Sequence, residues 1–267
     1  MKESTEGNLI GTLRRSAMIL RALAADHYHG RALTDLASAV GLPHPTVHRL
    51  LAQLSAEGLV VQEMQSKRYR LGPLVYELGL AAGSGYDLGL IYQPAMHKVS
   101  RVTGDTSYVI MRSGFEAVCV ARSEGSHPVR TLTLNIGSRR PLGVGAGGLA
   151  ILAACAEDEA RWIVSATKDK IRRFGRLSIS RQLKAIEESR VQGYATVTNQ
   201  VSLGVTGVGM AFLDSNGAPL GAISVGALTD RLPRDRHAQI AKLLKNAVDE
   251  IEAGLKAMPT RPWAGLS

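Results

Sequence analysis

Cysteine is scarce. Cys119 and Cys155 are the only two in 267 residues, and neither has a CxxC partner. That excludes a zinc ribbon and a dithiol redox motif, and it speaks against a disulfide framework. No uncharged apolar run reaches the ~18–20 residues of a membrane-spanning helix. The first residues lack the basic-then-apolar pattern of a secretory signal. The expectation is a cytoplasmic protein in a reducing setting, with no membrane partner. Catalytic signatures are missing too: there is no GxSxG, no HExxH and no GK[ST]. Ser126 and His127 are adjacent in sequence, which is not a catalytic geometry. No internal repeat or low-complexity segment is present. No enzyme activity and no cofactor are expected.

What the chain does have is positive charge and enough apolar content for sizeable cores. It is 45% hydrophobic and carries a formal net charge of +9. That balance suits a polyanionic partner. It is not concentrated in one half: residues 1–72 hold nine Lys and Arg against six Asp and Glu, a net +3, and the remainder carries +6. Placement of the cations is therefore more informative than their number.

The densest signal lies between Leu33 and Gly72. Thr34–Val40 reads as a helix with Thr34 as N-cap and Leu36, Ala37 and Val40 on one face. Gly41 ends it and Pro43 blocks its continuation. A second helix runs over His44–Glu57, with Val47, Leu50, Leu51 and Leu54 facing the core and Pro45 tolerated in its first turn. Gly58 closes it. Leu59–Met64 and Arg68–Leu71 are expected as strands around Gln65–Lys67, forming a basic wing with Lys67, Arg68 and Arg70. Tyr69 alternates with those cations and should face inward. Two helices joined by a short glycine turn also occur in ordinary bundles, but the wing that follows favours a winged helix-turn-helix. Candidate contacts to double-stranded operator DNA are His44, Thr46, His48 and Arg49 on the second helix, the three wing cations, and Arg14 and Arg15 before them. Arg49 can grip guanine bidentately or hold a phosphate. His44 and His48 have the i, i+4 spacing of metal ligands, but no further ligand is near in sequence, and no metal is expected.

Around this motif, residues 1–10 read as polar and frayed. Leu13–Ala25 is an amphipathic helix with Leu13, Ala17, Leu20 and Leu23 as its stripe. Asp26–Arg31, with His27 and His29, is a loop. Pro73–Ala82 is a linker helix whose apolar face invites a dimer partner. Pro94–Val102 is helical. Thr106–Arg112, Ala117–Arg122 and Val129–Asn135 alternate as strands do. Gly147–Ala156 and Ile179–Gln192 are helices; Tyr194–Thr198, Gly207–Leu213 and Pro219–Ala227 are strands, the last two joined by a turn at Asp214–Gly217. Arg234–Met258 is a charged terminal helix. The expected organisation is a DNA-binding domain (1–72), a linker helix (73–92), an α+β effector-binding and oligomerisation domain (93–258) and a tail (259–267).

Gly143, Gly145 and Gly148 satisfy G-x-G-x-x-G, which taken literally indicates a dinucleotide-binding enzyme. The strand-like run before them ends near Asn135, and no acidic strand end follows about 20 positions on. Two other readings remain. Small residues permit close helix packing, and free amides at a helix N-terminus bind carboxylates. Lys168–Arg181 is strongly basic and reads as a solvated loop.

Taken in order and spacing, several short segments resemble the IclR family of transcriptional regulators. These are Ser16–Leu20, Leu36-Ala37, Gly41–Pro43, Thr46–Leu51, Tyr69–Gly72, Gly137 with Pro141-Leu142, Gly193-Tyr194, Gly204, and Ala222–Val225. The resemblance covers roughly residues 12–257. It implies an N-terminal winged helix-turn-helix and a C-terminal effector domain related to GAF and PAS folds. It also implies homodimers or homotetramers on pseudo-palindromic operators, controlling catabolic genes in response to a small organic acid. The effector positions it implies here are Ala146, Gly147, Thr198 (or its neighbour Val197), Gly207 and Ser224. The chain departs from the family pattern by having Thr196–Gln200 in place of an acidic run, Gly207 in place of a cysteine, and Gly148-Leu149 in place of Gly-Lys. A pocket without acid or lysine points to an aromatic or hydrophobic carboxylate. The competing classes are a dinucleotide enzyme built on residues 143–148 and a DNA-binding protein whose C-terminal domain only oligomerises.

Overall fold

A computed structural model describes residues 3–25, 29–83, 88–174 and 177–257. The chain divides into two compact units, Met1–Gly85 and Tyr86–Ser267. Among the described residues no helix is long and apolar enough to cross a membrane.

The first unit contains α1 (Glu3–Ala24), α2 (Leu33–Val40), α3 (His44–Ala56), β1 (Val60–Gln62), β2 (Tyr69–Leu71) and α4 (Pro73–Gly83). Ile19 and Leu23 of α1 pack against Leu36 of α2 and Val47, Leu50, Leu51 and Leu54 of α3, all nearly inaccessible. Each fully buried Leu or Ile contributes about 1.5–3 kcal/mol relative to exposure. β1 and β2 pair antiparallel, with Val61 opposite Arg70. Gly41 closes α2 in the left-handed conformation at φ 67°, and Gly58 follows α3 at φ 69°.

Several sequence expectations need correction here. The first helix begins at Glu3, not Leu13, and Leu13 itself is 70% exposed. No proline interrupts residues 3–12, and acidic residues suit a helix N-terminus. Thr34 is not the N-cap of α2: Ala32 holds that position without a side-chain hydrogen bond. Arg31 exchanges two backbone hydrogen bonds with Tyr69, at 2.9 and 2.8 Å, so the chain is pinned to the wing one residue before the cap. The wing strands are shorter than expected, although Glu63 N–H still reaches the Arg68 carbonyl at 2.8 Å. His27 lies outside the described residues.

The second unit comprises α5 (Leu88–Thr103), β3 (Thr106–Ser113), β4 (Glu116–Ser123), β5 (Arg139–Pro141), α6 (Gly145–Ala154), α7 (Glu157–Ala166), α8 (Lys168–Arg172), α9 (Ile179–Gln192), β6 (Ala195–Thr198), β7 (Val205–Leu213), β8 (Pro219–Leu228), a short 3-10 turn (Thr229–Arg231) and α10 (Arg234–Ala257). The strands form one antiparallel sheet in the order β5-β4-β3-β8-β7-β6. One apolar core lies between the sheet and α6, α7 and α9. Another lies between its opposite face and α5 and α10. With both faces covered, β8 is buried over seven consecutive residues, and simple alternation is lost there. This is the expected α+β class.

Three further differences matter. α5 starts at Leu88 and continues through Pro94, so the stretch assigned to the linker helix after residue 87 belongs to this unit. Val129–Asn135 is not a strand. Side chains take up its backbone groups instead: Tyr108 donates to the Thr131 carbonyl and Arg140 to that of Thr133. The basic segment is not all loop, because Lys168–Arg172 forms a helical turn around buried Ile171.

Candidate nucleic-acid interface and ligand pocket

On α3 the sequence places apolar residues at three- and four-residue steps, which leaves a polar face on the far side. His44, His48, Arg49 and Gln53 are exposed on it, and Thr46 is half-buried at its margin. Arg49 stands almost opposite the buried stripe. Among the described residues no third acidic, cysteine or histidine ligand joins His44 and His48. Arg14 and Arg15 are exposed on α1.

The three wing cations, equivalent in sequence, are not equivalent in space. Lys67 is exposed at the tip in the left-handed conformation, φ 55°. Arg68 turns back: its Nη1 donates to the Gly30 carbonyl at 2.9 Å. Arg70 pairs with Glu63 at 3.6 Å, both side chains some two-fifths exposed, while its Nε is buried without an acceptor. Tyr69 is buried, as its alternation with the cations implies.

In the second unit a pocket of about 660 Å³, counted to its open mouth, lies over the sheet beside the start of α6. Gly143 and Gly145 shape the loop that delivers this helix, at φ 90° and 76°. Gln182 of α9 holds the loop by donating to the Gly143 carbonyl at 2.7 Å. The first N–H groups of a helix have no intrahelical acceptor. That of Gly145 is taken by Gln200 Oε1 at 3.2 Å, and the next two, of Ala146 and Gly147, border the pocket. The short strand β5 precedes this loop, contrary to the sequence reading, but it runs antiparallel to β4. The parallel β-α-β unit of a dinucleotide fold is absent from this sheet.

Ala146, Gly147, Gly207 and Ser224 all line the pocket. Thr198 does not. Period-two alternation on β6 points Val197 into the pocket and leaves Thr198 exposed on the other face, where its hydroxyl accepts from Thr206 at 3.1 Å. The Ser224 hydroxyl has no protein partner among the described residues. Sequence reasoning missed Tyr108, Cys119 and Arg140. Burial pushes the Tyr108 phenol above its usual pKa and the Cys119 thiol from 9.0 up to about 11, so both are neutral at pH 7. Burial also lowers the pKa of Arg140, though not enough to discharge it. The pocket is thus free of acid and lysine but not of positive charge. Arg140 was hidden by its neighbour: in the run Arg139-Arg140, only the fold reveals which arginine is used up. Arg139 is tied to Glu116 at 2.8 Å and to Ser113 at 2.8 Å. Burial opposes ionisation of Glu116, but hydrogen bonds from Arg139 and Lys170 outweigh it and leave that pKa lowered.

Comparison with known proteins agrees with this geometry. Residues 12–63 match the IclR helix-turn-helix domain, and residues 81–253 match the bacterial transcriptional regulator IclR C-terminal domain. The HTH-type transcriptional repressor AllR of Salmonella paratyphi A is 30% identical over 231 residues, 85% of this chain and 84% of that protein. AllR of Escherichia coli K12 is 29% identical over 85% of each. Among solved structures, an IclR transcriptional regulator from Alicyclobacillus acidocaldarius has a TM-score of 0.74 at 22% identity, covering 91% of this chain and 98% of its own. An IclR homologue from Microbacterium hydrocarbonoxydans, complexed with 4-hydroxybenzoate, has a TM-score of 0.71 at 19% identity, covering 92% and 99%. The chain belongs to the IclR family of bacterial transcriptional regulators.

Proposed function

We propose that this protein represses transcription by binding operator DNA through α3 and the wing, and that a small organic acid in the pocket over the sheet relieves it. The observation that carries the reading is the conjunction of an unpaired, exposed polar face on α3 with a separate unit that encloses a pocket at a helix N-terminus. A protein that only oligomerised through its second unit would have no use for that pocket. The relatives' name as repressors supports the sign of the effect, and the 4-hydroxybenzoate complex of one structural neighbour supports an aromatic acid. Catabolic genes are the natural targets of such a response.

A second copy of the chain completes the reading. Tyr76, Leu78 and Leu80 of α4 are each more than half exposed, and two protomers would place two α3 helices on the half-sites of a pseudo-palindrome. His44, Thr46, His48, Arg49 and Lys67 are assigned to DNA, with Arg14 and Arg15 approaching the backbone. Ala146, Gly147, Gly207 and Ser224 are assigned to the effector. A gel shift on the DNA flanking the protein's own gene, at fixed salt, tests the reading. Sequence-specific binding should be lost in Arg49→Ala and weakened by an aromatic acid. Binding to any sequence alike, in both proteins, would sink it.

A further inference from the structure

We infer that Arg140 is the specificity-determining residue of this pocket, and that it selects a monocarboxylate with an apolar, ring-sized body. The inference rests on the reading of the pocket as the effector site.

Arg140 lies on the edge strand β5, opposite Ala117 of β4. Its side chain extends over the pocket. One guanidinium nitrogen, Nη2, donates to the Thr133 carbonyl, and Nη1 stands 3.7 Å from the place a Cβ would occupy on Gly145. The cation is therefore held at the first turn of α6. That end of a helix already carries positive partial charge and unpaired N–H groups. A guanidinium and a helix N-terminus repel each other, and no neutral group compensates for bringing them together. An anion between them does.

No protein anion fills that role. Arg140 forms no ion pair among the described residues, and no Asp or Glu lines the pocket. The neighbouring arginines differ: Arg139 is paired with Glu116, Arg112 with Glu159 and Arg122 with Glu124. Tyr108 and Cys119, which face Arg140, are neutral. A partly buried cation left unpaired among paired ones is a site for a charge from outside the chain. The planar guanidinium fork fits a carboxylate in particular.

The remaining wall sets the rest of the ligand. Ile110, Ala117, Leu134, Val197 and Val201 present apolar surface. The lining runs from β4 to β6, four strand spacings of about 4.8 Å each, which leaves room for a ring. Thr133, Gln200, Ser202 and Ser224 add neutral polar groups but no second cation, so a second carboxylate would lack a charge to pair with. Ser224, with its unpartnered hydroxyl, can serve one neutral polar substituent.

Calorimetry on the full-length protein, with benzoate, 4-hydroxybenzoate, phenylacetate and pyruvate each compared with its primary amide, tests this. At least one of the aromatic acids should bind, at least tenfold more tightly than its amide and than pyruvate. Arg140→Gln should remove that acid-over-amide preference, and Arg140→Lys should restore part of it. The unliganded Arg140→Gln protein should melt at or above the wild type, because it loses an unpaired cation. Amides binding as well as acids, pyruvate binding best, or Arg140→Gln keeping the preference would overturn the inference while leaving the effector reading intact. An unliganded Arg140→Gln protein that melts well below the wild type would make Arg140 a strut for Thr133 and overturn it as well. Failure of every acid and amide to bind would overturn both.

Discussion

A Cβ on Gly147 would stand 2.7 Å from Ile110 Cγ1, closer than side chains approach in folded proteins. Ile110 belongs to β3, flanked by β4 and β8, and its side chain is buried. The contact can be relieved only by turning the β-branched Ile110 side chain into the pocket or by lifting α6 from the sheet. Gly147→Ala should therefore destabilise the second unit by about 1–3 kcal/mol through overpacking and narrow the pocket. Ile110→Ala removes the obstructing atom. In urea melts, the double variant should lose less than the sum of the two single losses. Simple additivity would mean that α6 shifts freely over the sheet.

Asp105, at the turn between α5 and β3, has a side chain only 3% exposed and sits between two cations. Arg231 Nε lies at 2.8 Å and Arg236 Nη1 at 3.4 Å, so the loop before β3 is clamped to the start of α10. Asp105→Asn keeps the shape and removes the charge, leaving two guanidinium groups facing a neutral amide. Breaking a buried pair from one side costs about 3–5 kcal/mol. The denaturation midpoint of the second unit should fall accordingly. A shift too small to measure would mean that water replaces the carboxylate there.

Much of the architecture could be read from the sequence where one local rule acts alone. The α3 stripe, the glycine stop after α2 and the bounds of α9 are of this kind. What could not be read depended on distant residues. Val129–Asn135 alternates like a strand, yet Tyr108 and Arg140 reach in from elsewhere and take its carbonyls. Thr198 and Val197 differ by one step of strand alternation, and that step decides which of them meets the pocket. Arg140 was invisible because nothing local separates it from Arg139. The sequence showed which residues could bind an acid or DNA, and the fold showed which of them were already occupied.

The two thiols make stability depend on alkaline pH. Burial pushes Cys119 and Cys155 from 9.0 up to about 11 each. An acid whose pKa is higher in the folded state binds more protons there than when unfolded. Its contribution is complete below pH 9 and is lost as pH rises towards 11. The loss is at most about 3 kcal/mol per thiol. Denaturation midpoints between pH 8.5 and 11 should fall less steeply when both cysteines are replaced by alanine. At pH 8, iodoacetamide should label neither thiol until the chain is unfolded. Rapid labelling of the native protein would show that one of them is open to solvent.

Salt dependence separates the wing cations. Each phosphate neutralised by a protein cation steepens the fall of log affinity with log salt by about 0.9. Lys67, exposed at the tip and without a carboxylate partner, is free to neutralise a phosphate, so Lys67→Ala should reduce the slope by about that amount on any duplex. Arg68 is held by the Gly30 carbonyl and Arg70 is shared with Glu63. Their alanine variants should change the slope less and lower the stability of the first unit more. Arg49 acts differently if it reads a base: Arg49→Ala should cost about 1–3 kcal/mol on the operator and little on unrelated DNA. If Lys67→Ala leaves the slope unchanged while Arg68→Ala reduces it, the hydrogen bond to Gly30 must open on binding. The wing would then engage DNA by rearrangement and not as a preformed element.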